Sequence, residues 1–463
     1  MNKEEQFSET SNETHEKVRL SRHIRLFIFF IFWILHFLNC SDSGIPTASS
    51  NNIKKVLKFT DSQFGNYGSL VQLGRLTGTV IGLNILNICN RKILIIFAPF
   101  IKSLTLLVYY YTDNFWIIMT CRYIQGFVHV STYIYFPTWI EQFGLQKYKG
   151  LMINSIQTAS PFGSVFGFAL CTFMGTDNWK KCFSLLAYSI MFLICVLFFI
   201  PEKYFSSQIY FSRHIEISQN EDEEHIEGRG SIYSLFEKNE SHIKEKNPTE
   251  NIWCEVLYAI FLSIVLARAV ILFIFMVVHY WIGDYFINVL DVENKLAKTL
   301  SYSIISLVGP FVGTIIGRYT IEYIGGYEQK KATLLCIFYS ILTCISGSFV
   351  SKANSLLSFT FILFLFFVFA NCQIPILIGI SINNVPQKFK AMSYSVNNLI
   401  CTFFGYLLAP AIYGYINDYY KLRDKKMALR FAFYYVWGNL FYLLICGIIQ
   451  FLTREEDEDE EEK

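Results

Sequence analysis

Charge is scarce in this chain. Of its 463 residues 16% are charged, against about 25% in an ordinary soluble chain, while 53% are hydrophobic. That balance excludes a disordered polymer, which has too little apolar surface to bury. An excess of either sign is also missing. Lys and Arg total 39 and Asp and Glu 37, so there is no basic footprint for a nucleic-acid partner and none is expected. Catalytic spacings are absent too. None of the 12 cysteines stands in a Cys-x-x-Cys pair, and no zinc spacing, Walker loop, His-Glu-x-x-His or Gly-x-Ser-x-Gly occurs. No enzyme, metal or cofactor is expected, and cysteines scattered through apolar runs read as small buried hydrophobes. One enzyme-like match, the His279-x4-Asp284 spacing of some acyltransferases, stands alone without its supporting motifs.

What charge there is has been pushed aside. Residues 1–25 hold 10 charges, residues 201–251 hold 17 and residues 454–463 hold 10, so 37 of the 76 lie in 86 residues. The remainder is apolar and bulky, with 45 Phe and 29 Tyr. Such partition is expected when most of the chain lies in lipid, where an ionised side chain is costly.

A bilayer core takes about 20 apolar helical residues. Twelve such runs are expected, roughly at 26–47, 64–88, 93–111, 115–140, 151–173 and 183–200, and then at 252–281, 299–319, 332–350, 355–380, 391–416 and 431–453. The expected class is an all-α polytopic membrane protein of twelve transmembrane helices in two six-helix halves. Its divisions are a tail over 1–25, a first half over 26–200, a linker over 201–251, a second half over 252–453 and an acidic tail over 454–463. An even number of spans puts both tails on one side, and long charged tails favour the cytosol. Basic residues do not decide it: 14 fall on one side and 13 on the other.

Small residues four apart let helices approach closely in lipid. They occur as Gly74, Gly78 and Gly82 in the second run, Gly163 and Gly167 in the fifth, Gly313 and Gly317 in the eighth, and Gly405 with Ala409 in the eleventh. Recurrence on every third helix points to three-helix repeats.

Local motifs make this organisation resemble the major facilitator superfamily, and its Spinster-like branch in particular. They are Asn90-Arg91-Lys92 after the second run, Arg122-x-x-x-Gly126-x-x-His129 and Pro137-Thr138-x-Ile140-x-x-Phe143 in the fourth, and Pro161-x-Gly163-Ser164-x-x-Gly167 in the fifth. The eleventh run carries Gly405, Pro410, Gly414 and Asp418, and the first carries Asn39 and Asp42. The resemblance implies the twelve-helix fold of that superfamily and a secondary transporter of lysolipid-like or organic-anion solutes, in the plasma membrane or an endolysosomal or vacuolar membrane. It assigns helix packing and gating to the glycines and to Arg91, Lys92, Pro161, Pro410 and Asp418. Asn87 and Ile88 replace the acidic and first basic residues of the family's gating loop. A receptor or scaffold that binds without moving its ligand is therefore the alternative.

Ionisable groups within the runs are candidates for function. Asp42, Arg75, Arg122, His129 and Tyr133 are expected to line a cavity in the first half, with Arg268 in the second. Arg122, Gly126 and His129 share one helix face. Asp42 and His129 could carry a coupled proton; an Arg–Asp pair bracing two helices is the plainer reading of the same residues. Lys102 reads as a snorkelling or local structural group. Arginines keep their charge, so a net positive interior suits a carboxylate or phosphate headgroup. A monomer with a small-molecule or lysolipid substrate, lipid and protons as its partners is expected.

Overall fold

The computed structural model describes residues 22–88, 90–205, 248–327, 330–383, 385, 390–420, 424 and 426–461. Among these, regular structure is helical throughout. In hydrocarbon a helix satisfies its own backbone, so apolar runs of this length have few other options. The helices group into twelve long segments. In the first half they are Arg22–Ala48, Asp61–Ile88, Arg91–Tyr111, Phe115–Phe143, Lys149–Met174 and Trp179–Phe198. In the second half they are Pro248–Asn288, Lys295–Ile324, Lys330–Val350, Leu356–Asn383, the span over 390–420, and Met427–Tyr435 running on through Trp437–Glu461. Nine of the twelve are long and apolar enough to cross a membrane by that measure alone. The second, fourth and fifth have 28, 29 and 26 residues. They have the length but are more polar, and the second and fourth carry Arg75, Arg122 and His129.

The helices outrun the expected boundaries because their ends are amphipathic. The seventh begins at Pro248 and runs to Asn288. The twelfth continues through Glu461, so the acidic segment prolongs a helix where a separate tail was expected. An extra helix, Ser50–Leu57, lies between the first two spans. Most of the 1–25 tail and of the 201–251 linker lies outside the described residues, as do the side chains of Asn87 and Ile88.

Packing repeats six spans on. The second span lies on the fourth, the first on the fifth, and the third on the fourth and sixth; likewise the eighth lies on the tenth, the seventh on the eleventh, and the ninth on the tenth and twelfth. This is the relation expected of two homologous halves. Glycine sets the close approaches. A Cβ on Gly74 would meet the Tyr123 carbonyl, on Gly167 the Ser41 carbonyl, and on Gly313 and Gly317 the carbonyls of Val368 and Cys372. Gly82 differs: the nearest atom to its Cβ would be a Val130 methyl at 3.7 Å.

Several spans depart from plain α-helix. The first stops at Ser41, turns through Asp42 and Ser43, and resumes over Gly44–Ala48. Ser43 Oγ donates to the Cys40 carbonyl at 2.7 Å, and Pro46 has no N–H to return to Asp42. The eighth and eleventh widen into π-helix over Ile304–Val308 and Cys401–Leu407. Such widenings are common at functional sites.

Candidate transport site

Polar groups gather in three places along the axis of the bundle. The first is the end bearing the loop between the first two spans, where the halves are tied together. Lys54 donates to Asp61 at 2.7 Å and to Asp284 at 2.5 Å. The second carboxylate oxygen of Asp61 accepts from Asn417 at 2.9 Å. Asp418 accepts from the backbone N–H groups of Asp61 and Ser62 at 2.9 and 2.7 Å. It thus places an anion from the second half at the N-terminus of a helix in the first, where the helix dipole favours it. Thr47 donates to the His279 carbonyl at 2.9 Å, and Tyr280 donates to the Phe64 carbonyl at 2.6 Å. Burial opposes the charge on Lys54, but Asp284 and Asp61 outweigh it and hold the ammonium above the ordinary lysine pKa. Beside this latch a cavity of about 400 Å³ is lined by Lys54, Asp61, Asp284, Asn288 and Asn417, among others.

The second place is the core of the first half. Asp42, in the break of the first span, accepts from Lys102 and from Arg122 Nη1, each at 3.1 Å. All three are at most 3% exposed. Lys102 also donates to the Asn39 carbonyl. It therefore faces inward as an ion-pair partner, which is the local structural role of the two that sequence suggested and not the snorkelling one. Arg122 lies over the Tyr67 ring at 4.8 Å and donates to Gln125 at 3.0 Å. One turn away from this triad, His36, Cys40 and His129 converge, with Cys40 Sγ at 3.5 Å from His129 Nε2 and 3.9 Å from His36 Nε2. The two imidazole centroids are 5.6 Å apart.

The third place lies between the halves. Tyr133 is 55% exposed, and its ring stands 6.5 Å from that of His129. It lies within electrostatic range of Arg75 in its own half and of Arg268 and Tyr394 in the other. Tyr406 lies within range of the same two arginines. Both arginines are partly buried. The Arg75 side chain has no hydrogen-bond or ion-pair partner among the described residues, and its Nε is buried and unpaired. Among the described residues the hydrogen-bond partners of Arg268 are neutral, Asn397 and Asn398 at 2.8 and 3.4 Å. Among the described residues neither arginine makes a direct ion pair with a carboxylate, although Asp42 lies within electrostatic range of Arg75.

A family model described as the Major Facilitator Superfamily matches residues 32–410. The chain belongs to the Major Facilitator Superfamily. That places it among transporters rather than enzymes. Solved structures with the same fold include a bacterial homologue of the human lysosomal transporter Spinster, in an inward-facing, unoccupied conformation. The TM-score is 0.68 at 14% identity, covering 94% of this chain and 97% of the other. A D-xylose–proton symporter gives 0.67 at 12% identity, covering 92% and 97%. The nucleoside transporter NupG gives 0.63 at 13%, covering 91% and 98%. Among curated proteins no relative matches the chain.

Several motif residues of this superfamily member serve packing and docking. Arg91 donates to Gln142 at 3.3 Å and Lys92 to the Phe198 carbonyl at 2.9 Å, both within the first half. Pro161 lies inside the fifth span, where Gly163 abuts the Phe37 carbonyl. Gly78 abuts Phe127, Gly405 abuts Leu272, and Gly414 abuts the Asp61 backbone. The Pro410 carbonyl accepts from Trp281 at 3.2 Å. Sequence reasoning passed over Lys54 and Asp61 as loop residues, and over Asp284 as part of a chance pattern. It also passed over His36 and Cys40, although their four-residue spacing puts them on one helix face.

Proposed function

We propose that this chain is a secondary transporter that carries an anionic amphiphile, of organic-anion or lysolipid type, between the guanidinium groups of Arg75 and Arg268. The carrying observation is their charge. One cation comes from each half, both are partly buried, and among the described residues no carboxylate forms a direct ion pair with either. An anionic headgroup would complete both and bridge the halves. That is the differential contact an alternating-access carrier needs in order to couple binding to motion. Tyr133 and Tyr394 add aromatic surface beside the charge. The Spinster-like motifs favour a lysolipid over a small carboxylate.

The latch at Lys54 closes the end that bears the first loop. With both termini in the cytosol this is the inward-facing state. No residue of the buried core is assigned a coupled proton, since Asp42 is already paired twice and His129 faces Cys40. Uptake of lysophospholipids and organic anions into proteoliposomes, with and without a pH gradient, tests the proposal. Weakened flux at low substrate concentration in Arg75→Gln and in Arg268→Gln is the expected result. Absence of flux for every anion, under either condition, overturns it.

A further inference from the structure

His36, Cys40 and His129 have no part in the anion site, yet they form a compact donor set. Their ligand atoms all lie within 4.8 Å of one another, and all three residues are buried. A metal–sulfur bond of about 2.3 Å and a metal–nitrogen bond of about 2.0 Å, at tetrahedral to trigonal angles, separate sulfur from nitrogen by about 3.5–3.7 Å. The observed separations of 3.5 and 3.9 Å bracket that range. His36 also has a second ring nitrogen, Nδ1, buried with no partner, which is unusual for an imidazole serving only as core. The half-exposed Tyr133 ring stands beside both imidazoles, 6.2 Å from that of His36 and 6.5 Å from that of His129.

We propose that His36, Cys40 and His129 form a binding site for a soft monovalent transition-metal ion, Cu⁺. Thiolate and imidazole donors select Cu⁺ or Zn²⁺ over hard cations. Charge decides between these two. Lys102 acts electrostatically on both Cys40 and His129, and Arg75 acts on His129. One thiolate, two neutral imidazoles and Cu⁺ sum to zero, whereas Zn²⁺ would add a positive charge beside two others in a medium of low dielectric. On binding, the S–H bond of Cys40 breaks, its proton goes to solvent, and a Cu–S bond forms with no change in oxidation state. The ion would staple the first span to the fourth.

The test uses purified full-length protein in detergent, reduced with ascorbate, and Cu⁺ supplied as its coloured bicinchoninate complex. The wild type is expected to withdraw one equivalent, and Cys195→Ser, at an exposed cysteine, to do the same. Cys40→Ser and His129→Gln are expected to withdraw none. If Cys40→Ser elutes as aggregate, His36→Gln reads the same loss. X-ray absorption at the copper edge should show one sulfur and two nitrogens. Withdrawal by Cys40→Ser equal to wild type, no withdrawal by wild type, or tighter retention of Zn²⁺ than of Cu⁺ overturns the proposal.

Discussion

The ammonium of Lys54 lies 2.5 Å from the carboxylate of Asp284, and the two residues belong to opposite halves of the bundle. Asp61 shares the same ammonium from its own half at 2.7 Å. The ammonium therefore screens two carboxylates from each other while tying the halves together. Lys54→Met should remove the tie to Asp284 across the halves, at a cost to the closed state of about 3 kcal/mol, or roughly a hundredfold in its population. Spin labels at Lys55 and Asp291, exposed on either side of the latch, should move apart. Adding Asp284→Asn should return part of the closed population. An unchanged distance distribution in Lys54→Met would remove the latch from the conformational equilibrium.

The pH dependence of this latch follows from the same geometry. The folded pKa of Lys54 is raised, so its contribution is whole below the ordinary lysine value and is lost as pH rises through the raised one. The closed state should therefore hold through neutral and mildly alkaline pH and open only in strong alkali. The same pair of spin labels reads this. Opening near neutral pH would contradict it.

Asp42 is the sole carboxylate between Lys102 and Arg122 in their buried cluster. Asp42→Asn should leave two cations facing each other in the core, at about 3–5 kcal/mol. Lys102→Met leaves a one-to-one pair and should cost clearly less. Thermal unfolding in detergent should order them wild type, Lys102→Met, Asp42→Asn. Equal stability of Asp42→Asn and wild type would show that the carboxylate does not brace the core, and would return Asp42 to the cavity-lining role that sequence suggested.

The architecture was legible because lipid imposes one rule on every span, and apolar length obeys it. The repeat was legible for a related reason: close helix contact leaves room only for small residues, and Gly74, Gly167, Gly313 and Gly317 recorded that contact. Single glycines left no such pattern. Gly126 abuts the Val71 carbonyl and Gly283 abuts Thr47, without a second glycine four residues away. Partnerships were less legible than positions. Asp42, Arg122 and Arg75 were singled out as buried charges, but which of them neutralise one another depends on how the first, third and fourth spans rotate. That rotation places Lys102 on Asp42 and leaves Arg75 without a direct ion pair among the described residues. Lys54 was hidden for another reason: it lies in a short helix between spans, where a lysine ordinarily faces solvent.

The glycine contacts differ in a way that substitution can read. At Gly167 a Cβ would collide with the Ser41 carbonyl, whose position is set by the break in the first span. Gly167→Ala should therefore force the first and fifth spans apart and cost about 1–3 kcal/mol. Gly82→Ala, with 3.7 Å to its nearest neighbour, should leave stability unchanged or raise it slightly, since alanine favours helix. Thermal unfolding of the two variants side by side checks this. Similar losses for both would mean that spacing in sequence, rather than backbone approach, marks the contact.

The two arginines of the central site can be separated by charge and by shape. Arg75 has no partner among the described residues, so Arg75→Lys keeps the cation and should retain binding of a monoanionic carboxylate, where a point charge suffices. Arg268 is held by Asn397 and Asn398 at 2.8 and 3.4 Å, which orient its planar fork. Arg268→Lys should lose that orientation and weaken a phosphate-bearing substrate more than a carboxylate. Loss of one charge-assisted hydrogen bond, about 1.5–3 kcal/mol, predicts a rise of roughly tenfold to a hundredfold in the half-saturating substrate concentration for either Gln variant. Concentration-dependent uptake into proteoliposomes measures it. A neutral analogue of the same substrate should show little change in either variant. An equal loss for charged and neutral analogues would assign both arginines to structure and leave the anion site without its two cations.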